Sequence, residues 1–307
     1  MSHHWAEQNE RGNRFFLNLT AWLVRHTPTA LMRIITAVVC FYFYATAPRA
    51  RAHIRAYQGR LKNTFPDVGL PGYFSVYRQF AAFGDAVGDR FAVWQGKIRY
   101  EHITLDDPDN LYADIRQTGV QGQILICSHL GNVEICRALA GHHPNFKLNV
   151  LVHSRHAQNF NRALKKAGAS DIRLIQVDTL DTALMMRLAD KLQQGEWLAI
   201  AADRIPVRGE KTVSVRFLGD NVALPQGAWL LAHILKARTN TLFVIKENGR
   251  YRLSLRRFTD VPPTLRREGR DRYIAQTAQR YADILAEQAR QAPLQWFNFF
   301  DFWSDHA

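Results

Sequence analysis

The chain has 307 residues, 47% hydrophobic and 22% charged, with 18 glycines and 11 prolines, which excludes a disordered, collagenous or low-complexity protein and leaves room for a substantial core. Lys and Arg number 40 against 27 Asp and Glu, a net charge of +13, so the surface attracts polyanions: nucleic acid, anionic lipid headgroups or acidic protein partners. The three cysteines, Cys40, Cys127 and Cys136, include no C-x-x-C pair, which argues against a disulfide framework or a zinc ribbon and points to a reducing compartment.

Phe15 to Ala47 is rich in apolar and aromatic residues, interrupted by Arg25, His26, Pro28 and Arg33. Its longest clean stretch, Ile34 to Ala47, falls short of the roughly 20 residues that span a bilayer. Extended back to Leu31 it crosses only if Arg33 snorkels to the headgroups. Phe41 to Tyr44 suit a headgroup-level position, with apolar rings and polar tips. Arg49, Arg51, Arg55, Arg60 and Lys62 follow with no acid between them, a cluster suited to an anionic cytoplasmic leaflet. The same run also fits a buried helix pair, and a signal peptide is disfavoured because the run starts far from Met1. Residues 1–66 are therefore read as a hydrophobic and basic membrane-associating segment and 67–307 as the main domain, with no linker long enough to demand two independent domains.

After a turn-rich break at 66–71, apolar residues at helical spacing predict an amphipathic helix over 73–94. Alternation of β-rich and helical runs follows. Strands are expected at 98–105, 123–127, 147–153, 172–177, 197–201, 213–217, 241–245 and 251–255, and helices at 107–117, 132–140, 157–168, 180–194, 225–237 and 266–290. That order predicts an α/β fold, a mixed and largely parallel sheet flanked by helices. An aromatic tail, Trp296 to Trp303, closes the chain.

The most informative segment runs from Ile124 to Glu134, an apolar strand entering a helix, because active sites of open α/β sheets gather at the carboxyl ends of strands. Gly131 allows a tight turn and Asn132 is a candidate N-cap. His129 then stands at the strand end with Glu134 in the first helical turn, where a carboxylate can hydrogen-bond the imidazole and raise its basicity. No G-x-S-x-G elbow occurs, which disfavours a serine hydrolase, and no H-E-x-x-H motif occurs and the spacing of Cys127, His129 and Cys136 matches no common zinc pattern, which disfavours a metal site.

Ser128-His129-Leu130-Gly131-Asn132-Val133-Glu134 resembles the H-x4-D/E motif of the lysophospholipid acyltransferase superfamily, in particular the late acyltransferases of lipid A biosynthesis. Further blocks agree in order: Val152 to Arg155 with Asn159, then Ala202-Asp203-Arg204, Val215 to Gly219, and Leu224 to Ala228. The resemblance covers almost the whole chain. The ending, with Trp296 followed by further aromatics, departs from the tryptophan and basic residues usual in lipid A enzymes and is closer to a less characterised acyltransferase branch.

The resemblance implies transfer of a fatty acyl group from an acyl thioester, usually on acyl carrier protein, to a hydroxyl of a lipid or glycolipid acceptor at the cytoplasmic face of a bacterial inner membrane, with no metal and no organic cofactor. His129 would be the general base and Glu134 would orient and charge-stabilise it, while Arg155, Asn159, Asp203, Arg204, Gly219, Pro225 and Gly227 would serve substrate binding. Arg204 and Arg155, each just beyond a strand end, suit a phosphate or an oxyanion. The basic surface is then matched to anionic lipid and an acidic carrier protein. The rival readings are a noncatalytic membrane scaffold and a nucleic-acid-binding protein, the second disfavoured by the lack of zinc-finger spacing or an RNP-type run.

Overall fold

A computed structural model describes residues 27, 29–117, 119–143, 146–152, 172–177, 181–205 and 211–303. The described strands are β1 (Ile103–Asp106), β2 (Ile124–Cys127), β3 (Leu148–Val152), β4 (Ile172–Gln176), β5 (Trp197–Ala201), β6 (Thr212–Phe217), β7 (Asp220–Pro225), β8 (Thr239–Glu247) and β9 (Arg250–Thr259). The helices are α1 (Thr29–Thr46), α2 (Pro48–Thr64), α3 (Ser75–Trp94), α4 (Leu111–Arg116), α5 (Cys136–His142), α6 (Thr182–Gln193), α7 (Gly227–Leu235) and α8 (Arg267–Gln291). Seven strands form one sheet in the order β1-β9-β8-β2-β5-β3-β4, and β6 and β7 form a separate antiparallel hairpin. Strands β8, β2, β5, β3 and β4 are mutually parallel, whereas β9 runs back against β8 and carries β1 parallel to itself. The expected mixed, largely parallel α/β sheet is the fold observed.

Strand β2 is buried along its whole length, as a central parallel strand covered on both faces must be. On one face lie Trp229 of α7, Tyr281 of α8, Leu188 of α6 and the hairpin residues Val215 and Phe217. On the other lie Leu111 of α4, Leu139 of α5, Phe146 and Trp197.

Several boundaries differ from those the sequence suggests. The strand expected over 98–105 is confined to Ile103–Asp106, preceded by a 3-10 turn at Tyr100–His102. The helix expected from residue 132 opens as a 3-10 turn, Val133–Ile135, and becomes α-helical only at Cys136. Asn132 does not cap it; its side-chain amide donates to Ala86 O of α3 at 2.9 Å. Pro225 ends β7 rather than opening a helix, so α7 begins at Gly227. The helix expected over 157–168 lies outside the described residues.

The described part of the N-terminal apolar run folds as α1 and packs on α3 at a close crossing. A Cβ added to Gly84 would lie 2.4 Å from Cys40 Sγ, so glycine is what lets the two helices approach. Ile34, Val38, Phe41 and Tyr42 nevertheless remain at least 60% exposed. No described helix is long and apolar enough to cross a membrane. Arg51 of α2 donates to the carbonyls of Tyr44 and Ala45 and sits 5.2 Å from the Tyr44 ring, closing the carboxyl end of α1, where a cation also complements the helix dipole. Tyr57 and Leu61 of α2 belong to the main core.

Candidate active site

The register of the sheet sets the site. Cys127 at the end of β2 pairs with Ala201 at the end of β5, so His129 and Asp203, each two residues farther on, emerge side by side at the carboxyl rim. His129 Nδ1 lies 2.8 Å from Asp203 Oδ1, and the backbone N–H of His129 donates to Oδ2 of the same carboxylate at 2.8 Å. Trp296 Nε1 is the third donor to this carboxylate and the second to Oδ2, at 3.1 Å. The ionised carboxylate assigns the imidazole proton to Nδ1 and leaves the lone pair on Nε2, the atom a general base needs.

The Asp203 side chain is fully enclosed and that of His129 is 37% exposed. Burial works to raise Asp203, but the His129 charge and hydrogen bonds, with Arg204, hold its carboxyl well below the usual range. Burial first, then the Arg204 and Arg90 charges, lower His129 against the opposing pull of Asp203. The resting imidazole is therefore neutral at pH 7, as proton abstraction requires.

Two assignments from the sequence are corrected by this geometry. Glu134 does not engage the imidazole: its Oε2 accepts from Arg137 Nε at 2.6 Å and from Trp94 Nε1 at 3.2 Å. Gly131, at φ +76°, turns the chain away between His129 and the 3-10 turn that carries Glu134, so proximity in sequence does not become proximity of side chains. Asp203, expected among the substrate-binding residues, is instead the buried partner of His129.

The aromatic tail completes the site. Phe297 N–H donates to His129 O at 3.1 Å and Gly131 N–H to Gln295 O at 2.8 Å, while the Gln295 side chain pairs with both main-chain groups of Lys246 on β8 at 2.9 Å. Arg204 donates from Nε to Asn298 Oδ1 at 2.7 Å and from a terminal nitrogen to Phe297 O at 2.6 Å. Burial lowers Arg204 to about 10, which leaves it charged at neutral pH. Tyr281 of α8 donates to Cys127 O at 2.8 Å from within the core, fixing the end of β2. These tail contacts carried no local signal, because their partners lie 49 or more residues away in the chain.

The chain matches the family model described as bacterial lipid A biosynthesis acyltransferase over residues 11–304. It belongs to that family. Membership of the lipid A acyltransferase family makes the chain an acyltransferase acting on lipids. Among curated proteins none matches it.

Set against that identity, the remaining expected residues divide. Arg155 and Asn159 lie outside the described residues. Gly219, at φ +92°, forms the β6–β7 turn with Leu218, Pro225 closes the hairpin opposite Thr212, and Gly227 starts α7, so the structure places all three where the backbone turns or changes element. Cys127 and Cys136 are buried, and burial raises both thiols, Cys127 to about 12, the wrong state for a thiolate nucleophile or metal ligand.

Proposed function

We propose that the chain transfers a fatty acyl group from an acyl thioester, carried on acyl carrier protein, directly to a hydroxyl of a lipid or glycolipid acceptor. The carrying observation is the imidazole at the sheet rim, held by a buried carboxylate with its Nε2 lone pair available, in a chain of the lipid A acyltransferase family. His129 Nε2 takes the acceptor proton as the oxygen attacks the thioester carbonyl. Asp203 keeps the tautomer and stabilises the imidazolium, which then returns the proton to the leaving thiolate. Arg204, just beyond β5, sets its positive charge against His129 and Asp203, where it would favour a developing oxyanion. Arg155 and Asn159 are assigned to substrate contact by the resemblance alone.

The reaction is assigned to the cytoplasmic face of a bacterial inner membrane. The exposed apolar face of α1 would lie in the interface, and Arg49, Arg55 and Lys62 of α2, all exposed, would meet anionic headgroups. In this reading residues 1–66 attach the protein and 67–307 carry the chemistry. Ile34→Asp with Val38→Asp should lose flotation with anionic vesicles while the soluble fold persists; unchanged flotation would remove α1 from the contact.

Mass spectrometry of total lipids from cells with the wild-type protein, with His129→Ala, and with neither tests the chemistry. A species heavier by one acyl group should appear with wild type only. The same species in cells holding properly folded His129→Ala would overturn the general-base assignment.

A further inference from the structure

One face of α3 looks onto the catalytic loop along its whole length. Phe83 stacks edge-on to Phe297 and Phe299 at 5.3 and 5.1 Å, Ala86 O receives the Asn132 amide, and Trp94 Nε1 reaches Glu134. At 3.6 residues per turn these positions share one stripe, and Arg90 lies in that stripe between Ala86 and Trp94. Its charge acts on both His129 and Arg204.

Arg90 is only half-exposed, yet its Nε is buried without a hydrogen-bond partner and no ion pair joins it to a carboxylate among the described residues. The acids around it are committed elsewhere. Asp89 binds Lys246 Nζ and Tyr251 OH, both at 2.5 Å, Glu134 holds Arg137 and Trp94, and Asp203 is saturated by three N–H donors. A half-buried guanidinium without a counter-charge is costly to keep, and beside a neutral imidazole it leaves the site short of an anion.

We propose that Arg90 is an anion-binding residue of this site, whose guanidinium takes a phosphate ester of a substrate on the α3 side of His129. This rests on the acyl-transfer reading, in which the thioester and the accepting hydroxyl are both uncharged. The anion must then come from elsewhere on a substrate, either the phosphodiester of the carrier's pantetheine arm or a phosphate on the lipid acceptor. The planar guanidinium fork matches phosphate geometry and can bind it through two parallel N–H donors.

The test uses the full chain with inorganic phosphate at constant ionic strength, followed by NMR of the His129 ring and the Trp94 indole. Phosphate should bind saturably, shift the Trp94 resonance and raise the His129 pKa, since an anion favours the imidazolium. Arg90→Gln should raise the His129 pKa in the absence of phosphate and weaken phosphate binding by about tenfold or more. Arg90→Lys, which keeps the charge and spares the fold, should lose only part of the affinity. Phosphate binding equal in wild type and either folded variant, or no saturable binding by wild type, would overturn the proposal.

Two further arms identify the source. Phosphopantetheine outcompeting pantetheine places the phosphate on the donor, and glycerol phosphate outcompeting glycerol places it on the acceptor. If neither ester outcompetes its dephosphorylated form, the site is not a phosphate-ester site. Retained turnover in His129→Ala would end the general-base reading while leaving the Trp94 phosphate titration intact, so the two failures are distinguishable.

Discussion

Asp203→Asn separates the partner of the imidazole found in the structure from the one nearest in sequence. The carboxylate accepts from two N–H groups at Oδ2 and from His129 Nδ1 at Oδ1. An asparagine keeps two of these bonds if its carbonyl oxygen takes the Oδ2 position, which puts its NH2 group against Nδ1. Nδ1 must then become the acceptor, and the imidazole proton moves to Nε2, the atom that has to be bare. Turnover should fall by about 10² to 10⁴, the worth of general-base catalysis. Two charge-assisted bonds become neutral ones, at about 1 kcal/mol each, so the variant should lose about 2 kcal/mol and remain folded. Thiol release from acyl-carrier-protein thioester measures the rate, and ¹⁵N NMR of the ring reports the tautomer. Turnover within about threefold of wild type, together with a collapse in Glu134→Gln, would refute the argument and restore Glu134 as the partner.

Trp296→Phe removes one donor to Asp203 from a ring packed against Tyr57 and Phe302 at 4.9 and 4.8 Å; turnover should drop about tenfold with KM little changed, and an equal fall in both would argue for a purely structural role. Gly131→Ala forces a side chain into φ +76° and drives its Cβ to 2.0 Å from Val244 O, which should cost about 2 kcal/mol or more, read as a lowered melting temperature. Because His129 is pushed below its ordinary 6.5, the acid limb of the rate profile should lie below pH 6.5, the activity falling as the base protonates. The same depressed pKa means that the unfolded chain binds the extra proton first, so this contribution to stability is complete above about pH 6.5 and is lost as pH falls toward the folded value; a rate profile with its acid limb above pH 6.5 would contradict the assignment.

The parallel sheet and the position of His129 were legible because β2 is a short apolar run ending at a turn, a pattern that depends only on neighbouring residues. Asp203 stood in a recognisable block, but its role was hidden, since the contact with His129 bridges 74 positions and follows from the pairing of β2 with β5. The pairing of two apolar strands in register, each with a polar residue two positions past its end, was the signal available. Glu134 misled because helical geometry was carried back through Gly131, where the left-handed backbone breaks it. Arg90 was invisible for a different reason: the α3 stripe reads as an amphipathic helix, and a single charge in such a face looks like ordinary solvation. Strand β7 was missed because Asp220 and Asn221 open it and Pro225 ends it, so its only support is the partner strand β6.

The same contacts tie His129 to the outer face of α1. Cys40 of α1 sits against Gly84 of α3, Phe80 and Phe83 of α3 pack on Phe299 at 5.4 and 5.1 Å, and two residues earlier the tail hydrogen-bonds His129 O. No flexible linker intervenes along this path; each step is a side-chain contact or a main-chain hydrogen bond. If α1 lies in a membrane interface, the depth of His129 relative to that surface is set by packing, and an acceptor hydroxyl at a fixed depth in the lipid would meet the imidazole without the protein having to search for it. Packed interiors resist deformation, so enlarging Gly84 should act at a distance. Gly84→Leu would part α1 from α3 and reduce transfer to a membrane-embedded acceptor, while thioester hydrolysis by water, which needs no alignment with the bilayer, should continue.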